Sequence, residues 1–232
     1  MSVKEEFSKY SNSYEDCSIV QKFACSHLFS HVKSYKFQNI LELGCGTGQF
    51  FELVNWQFRN YTAVDFSQEM CDVHPKAQNL NVKCLDFDTK EFADLLERNK
   101  YDIIVAPSSL QWSKDFDRIT KLCFGSSSNI AFAIFTSNTF KTIHSICEVV
   151  SPIKDAKYFK DIISKYFNAK FEIVSYKIEF ESRREMFDYI KKSGVSGGEK
   201  VLDFKIAKKL YKEYPFNYLE FEVLYITSFS KS

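Results

Sequence analysis

Three acids and three glycines carry the first chemical signal in this chain. Ile40–Phe50 reads ILELGCGTGQF, with Gly44, Gly46 and Gly48 at alternate positions behind a short apolar run and Glu42 two residues ahead of them. Asp65 and Asp86 stand at the ends of the next two apolar runs. A backbone this bare admits a ligand to close range, and Cys45 and Thr47 are small enough not to obstruct it. A carboxylate at position 42 repels phosphate and attracts a cationic group. One at the end of a second strand is placed to accept both hydroxyls of a ribose. Asp86 would lie near an adenine amino group. The G-x-G-x-G spacing differs from the G-x-G-x-x-G of dinucleotide binders and from the G-x-x-x-x-G-K-[ST] phosphate cradle. A ligand with adenosine at one end, an ammonium at the other and no phosphate satisfies all three acids. S-adenosylmethionine has that form, and its sulfonium suits an aromatic-walled cleft. Each acid alone is also compatible with helix capping, Asp86 and Asp88 especially, because LDFDTKEF reads as the start of a helix.

Such residues need a scaffold that gathers strand ends. Short apolar runs at 39–43, 61–64, 81–85, 101–106 and 130–135 read as strands, the last two almost wholly apolar, as in a parallel sheet covered on both faces. Helical patterns fall between them at Gln49–Phe58, Ser67–Val73, Thr89–Asn99 and Phe116–Phe124. This alternation predicts an open, doubly wound α/β sheet. Two longer strand candidates, 170–181 and 217–230, flank helices expected at Arg183–Ser193 and Asp203–Tyr214. The terminal strand would most simply enter the sheet antiparallel. Ahead of the first strand, Asp16–Val32 reads as an amphipathic helix placed to fold over the crevice.

Bulk properties narrow the class. The 232 residues suit one large domain, 45% of them are hydrophobic, and 24 Phe with 13 Tyr make the core aromatic. A net charge of +1 argues against a dedicated nucleic-acid binder. Residues 141–212, with 16 basic and 10 acidic side chains, offer a basic face for an acidic partner. Seven scattered cysteines form no C-x-x-C pair and read as buried, reduced thiols. With no apolar signal core or membrane-length run, a cytoplasmic protein is expected. His27 and His31 stand one helical turn apart, a metal-like spacing, but nothing acidic or thiol-bearing lies nearby in sequence to complete a site. They read as structural or surface histidines, and no metal is expected.

The sheet, glycine loop and acids resemble class I S-adenosylmethionine-dependent methyltransferases over about residues 35–140. A narrower resemblance covers nearly the whole chain. FSKYSNSYEDCSIVQ is similar to the F-x6-Y-x6-Q opening of the malonyl-acyl-carrier-protein O-methyltransferases of biotin synthesis, with Phe7, Tyr14 and Gln21 in register. APSSLQW (106–112) resembles that family's S-N-x-x-x-Q-W after the fourth strand, and FTSNTFKTIHSI (135–146) its segment after the fifth. YIKKSGVSG resembles its L-K-x-x-G stretch, and PFNYLEFEVLY its closing P-x-x-Y strand. Three departures stand out. FGSSSN replaces the x-P-x-G turn, the Asn after the fourth strand is absent, and DAKYF has no arginine where the family meets the substrate carboxylate.

The resemblance implies one domain over 1–232 with a seven-stranded sheet. Its parts are an N-terminal lid (1–34), a cofactor-binding core (35–138), acceptor-side helices (139–168) and C-terminal strands and helices (169–232). It implies a cofactor site of Glu42, Gly44, Cys45, Gly46, Gly48, Asp65, Phe66, Met70, Asp86, Phe87 and Pro107. The implied reaction moves a methyl group to the malonyl carboxylate of a loaded acyl carrier protein. A carboxylate is ionised at neutral pH, so no general base is required, and alignment and exclusion of water become the enzyme's tasks. Tyr14 would orient the carboxylate, Gln111 and Trp112 would wall the acceptor side, and Lys157 or Lys160 would replace the missing arginine. Lys191, Lys192, Lys200, Lys205, Lys208 and Lys209 form either a carrier-docking surface or a solvated helix face. Methylation of a free carboxylate or other metabolite, or a catalytically silent cofactor-binding subunit, are the alternatives.

Overall fold

The computed structural model describes residues 19–192 and 204–230. Phe7, Tyr14, Cys17 and Lys200 lie outside the described residues, as do the side chains of Lys191, Lys192 and Lys205. The expected strands form, as β1 (Asn39–Leu43), β2 (Asn60–Asp65), β3 (Leu80–Cys84), β4 (Ile103–Pro107), β5 (Ile130–Phe135), β6 (Lys170–Glu179) and β7 (Tyr218–Ser228). They make one sheet in the order β3-β2-β1-β4-β5-β7-β6. β1 to β5 pair in parallel, while β7 runs antiparallel to both β5 and β6. The expected mostly parallel, doubly wound sheet with an antiparallel terminal strand is the fold.

Burial follows each strand's place. β5 is buried at all six positions and β4 at its first four, which accounts for their continuous apolar sequence. β6, at the edge, has no buried position and mixes exposed with half-covered residues.

The helices are α1 (Ile19–Val32), α2 (Gln49–Leu53), α3 (Gln68–Val73), α4 (Lys90–Arg98), α5 (Phe116–Ser126), α6 (Lys141–Cys147), α7 (Ala156–Ile163), α8 (Arg183–Lys192) and α9 (Phe204–Glu213). Four start on the side-chain caps their sequences offer. Ser67 Oγ accepts from Met70 N, Thr89 Oγ1 from Phe92 N, Asp115 from Arg118 N, and Asp155 from Tyr158 N. α2 stops at Leu53 instead of continuing to Phe58, because Trp56 turns away to donate its indole N–H to Phe37 O and stack on Phe29. α1 packs against α2 and across β4, β5 and β7, burying Val20, Ala24, Cys25 and Leu28. These residues of the expected lid are thus a layer of the core.

β1 and β4 are neighbours although β2 and β3 lie on one side of them and β5 on the other. Reversal of strand order at this pair opens a crevice beyond their carboxyl ends. The glycine loop after β1 and Ser108–Ser109 after β4 border it.

Candidate active site

Each glycine of the loop has a different reason to lack a side chain. All three adopt positive φ, at +67° for Gly44, +51° for Gly46 and +95° for Gly48. A Cβ on Gly44 would sit 2.1 Å from Ser109 Cβ, and one on Gly48 2.6 Å from Pro75 Cδ. A Cβ on Gly46 would meet no protein atom within 4 Å, since that position faces the cleft. Gly44 N and Cys45 N both donate to Val64 O, and Ser109 Oγ donates to Leu43 O, so the loop is fastened from β2 and β4 together.

Asp65 completes the fastening. Its Oδ2 accepts from Gly46 N and its Oδ1 from Ser67 N, each at 2.9 Å. Burial raises its pKa, opposed by these backbone N–H groups. A carboxylate offers about four acceptor sites, so capacity remains for a ribose hydroxyl beside these backbone N–H groups.

Glu42 is wholly buried. Tyr61 donates its hydroxyl to Glu42 Oε2 over 2.6 Å, while Oε1 has no hydrogen-bond partner. Burial pushes its carboxyl up to about 8, with the Asp65 charge adding in the same direction. Gln21, from α1, presents a second unpartnered buried oxygen, Oε1. Both residues line one small recess with Cys25, Gly44, Gly46 and Ser108. Once Glu42 gives up its proton, these two buried oxygens are acceptors without donors and match an ammonium group, which has donors only. Gln21 was visible in the sequence as part of the opening motif, but nothing local indicated that its amide would meet Glu42.

A second recess, sharing Gly44, Gly46 and Ser108 with the first, is lined by Asp65, Phe66, Met70, Phe87 and Trp112. Three aromatic rings and a thioether there suit a flat heterocycle. Met70 arrives through the Ser67 cap of α3, Phe87 from the turn after β3, and Trp112 from a 3-10 turn at Leu110–Trp112. Ser108 was not expected; it lines both recesses and holds φ +100°, a strained value for a residue with a side chain. Pro107 borders the first recess.

Other expected residues are occupied elsewhere. Asp86 Oδ1 accepts from Asp88 N in a turn leading to α4, and Asp86 lines neither recess. Gln111 donates Nε2 to Ser108 O over 2.7 Å, bracing the strained residue. Lys157 pairs with Asp161, and Lys160 lies over the Phe171 ring, so neither lysine lines the cleft. Of the six lysines considered for docking, Lys208 is exposed and Lys209 pairs with Glu148 at 2.8 Å. Cys25, Cys45 and Cys123 are buried free thiols as expected, but Cys71 and Cys147 are half-covered and Cys84 is exposed. Among the described residues, no helix is long and apolar enough to cross a membrane.

Comparison with known proteins agrees with this geometry. Residues 41–125 match the family model described as a methyltransferase domain. The chain is 29% identical over 174 residues to a malonyl-[acyl-carrier protein] O-methyltransferase of Bacillus cytotoxicus, covering 71% of this chain and 60% of that protein. A protein of the same name from Calditerrivibrio nitroreducens is 25% identical over 209 residues, covering 85% and 81%. Among solved structures, an S-adenosylmethionine-dependent methyltransferase from Thermotoga maritima superimposes with a TM-score of 0.56 at 15% identity, covering 97% of this chain and 99% of that one. The chain thus spans 60% of the Bacillus relative's length.

Proposed function

We propose that this chain, a class I methyltransferase in fold and similar to malonyl-acyl-carrier-protein O-methyltransferases, is an S-adenosylmethionine-dependent enzyme that methylates the free carboxylate of a malonyl thioester on an acyl carrier protein. The product would be the methyl ester that starts pimeloyl and biotin synthesis. One observation supports the cofactor most strongly. Glu42 Oε1 and Gln21 Oε1 are buried without donors beside a glycine loop whose middle residue opens to the cleft.

In this reading Glu42 and Gln21 hold the ammonium, Asp65 the ribose hydroxyls, and Phe66, Met70, Phe87 and Trp112 the adenine. When bound, the cofactor supplies an electrophilic methyl group on a sulfonium. The protein's own contribution is alignment. Trp112 keeps water from the cleft, Gln111 braces Ser108, and the segment after β5 frames the acceptor side. That segment is pinned by β7, where Glu222 accepts from Thr136 Oγ1 and Glu220 from Thr142 Oγ1, both at 2.6 Å. Tyr14, in register with the family motif, would orient the acceptor carboxylate. No side chain need remove a proton, since the acceptor is already an anion.

The placement of Lys157 and Lys160 favours a second reading, in which the same fold methylates a different small acceptor. Incubation with labelled methyl donor and either malonyl-loaded carrier or free diacids separates the two. Base-labile label on the carrier supports the first reading. Label on a free acid alone supports the second.

A further inference from the structure

We propose that His27, His31 and Glu172 form a binding site for a divalent transition cation, zinc in particular, that fastens α1 to the edge strand β6. Helical spacing puts both imidazoles on one face of α1, and the fold brings Glu172 to that face across 145 residues of sequence. Glu172 Oε2 lies 3.1 Å from His27 Nε2 and 3.3 Å from His31 Nε2, and the three ligand atoms all fall within 4.8 Å of one another. A tetrahedral zinc ion with bonds near 2.0–2.1 Å separates its ligands by about 3.3 Å. The spacing therefore already approximates a coordination face and needs only small rotamer adjustments.

Both imidazoles converge on one carboxylate oxygen: His27 Nε2 hydrogen-bonds to Glu172 Oε2, and the buried His31 Nε2 approaches the same oxygen at 3.3 Å. Neutral imidazoles turned this way present two nitrogen donors and one oxygen donor to a cation placed among them. His27 and the Glu172 side chain are 34% and 47% exposed, which leaves an approach from solvent and an open fourth position. A glutamate carboxyl is ordinarily ionised at neutral pH, so the oxygen donor is anionic. Two imidazoles and one carboxylate suit zinc and its neighbours better than magnesium or calcium, which prefer all-oxygen sites.

The site lies at the outer seam of α1, where Phe23 stacks on Tyr176 and His27 packs on Tyr225. It is separate from the cleft and independent of the methyl-transfer reading. Its effect would be to hold the helix that carries Gln21.

The test is calorimetric titration of chelator-stripped full-length protein with Zn2+, with Mg2+ and Ca2+ as controls. The expected result is one zinc per chain, weakened at least about tenfold in His31→Gln and Glu172→Gln. Zinc at a hundredfold the wild-type dissociation constant should raise the wild-type melting temperature by about 5–10 °C and that of Glu172→Gln by no more than about half as much. Co2+ should give visible d–d bands without near-ultraviolet thiolate charge transfer. Circular dichroism of Glu172→Gln matching wild type would exclude misfolding as the cause of lost binding; if that variant misfolds, His31→Gln decides. Zinc binding unaltered in folded variants, thiolate charge transfer, or no stoichiometric zinc would overturn the proposal.

Discussion

Gly46 and Asp65 are joined by a 2.9 Å hydrogen bond from the backbone N–H to Oδ2, so the residue open to the cleft and the proposed ribose carboxylate hold each other in place. The contact links the loop after β1 to the end of β2. Asp65→Ala should consequently damage both loop order and affinity. Loss of charge-assisted contacts worth about 1.5–3 kcal/mol each predicts a weakening of S-adenosylhomocysteine binding by at least tenfold in calorimetry. Unchanged affinity would place the ribose elsewhere.

Gly44 and Gly46 should respond differently to the same substitution. Gly44→Ala drives a Cβ into Ser109 and strains a left-handed residue, which predicts a loss of about 2–5 kcal/mol in denaturant unfolding. Gly46→Ala meets no protein atom, so only backbone strain of about 1–2 kcal/mol remains. Its main effect should be on ligand affinity, because the new methyl group occupies the cleft. Equal losses of stability would contradict the assignment of Gly46 to the ligand face.

Glu42 should make the ligand-free protein less stable as pH rises. Its carboxyl is raised by burial from 4.5 to about 8 in the folded state. Between those values the folded chain keeps a proton that the unfolded chain has released. Unfolding free energy therefore falls through that window and levels off above it. Urea unfolding at pH 5 and pH 8 should show this decline in the wild type and a smaller one in Glu42→Gln. Identical declines would mean that Glu42 is ionised throughout.

Lys208 and Lys209 test the carrier surface. Lys208 is exposed, and Lys209 makes an exposed pair with Glu148, a contact of little net strength. Reversing both to Glu should raise KM for malonyl-loaded carrier roughly tenfold through like-charge repulsion, while sparing a small malonyl thioester. Equal activity on both substrates would remove the docking idea.

The parts of the fold visible in the sequence were those set by local pattern. Continuous apolar runs marked β4 and β5, and Ser67 and Thr89 marked helix starts because a cap needs only three neighbouring residues. The glycine loop was legible for the same reason. What escaped depends on distant partners. The end of α2 is set by Trp56 reaching Phe37, the Gln21–Glu42 pair of acceptors by α1 crossing the sheet, and the His27–His31–Glu172 cluster by a strand 145 residues away. Lys157 and Lys160 were assigned through the family's arginine, and their own partners, Asp161 and Phe171, were not read from the sequence.

If Glu42 and Gln21 receive the ammonium of a phosphate-free adenosyl ligand, removing that ammonium must weaken binding. A calorimetric comparison of S-adenosylhomocysteine with 5′-methylthioadenosine, which lacks the amino-acid end, on wild type and Glu42→Gln tests this. S-adenosylhomocysteine should bind the wild type at least about tenfold more tightly, and Glu42→Gln should narrow the gap. Equal affinities in the wild type, or tighter binding of a nucleotide pyrophosphate such as NAD, would contradict it.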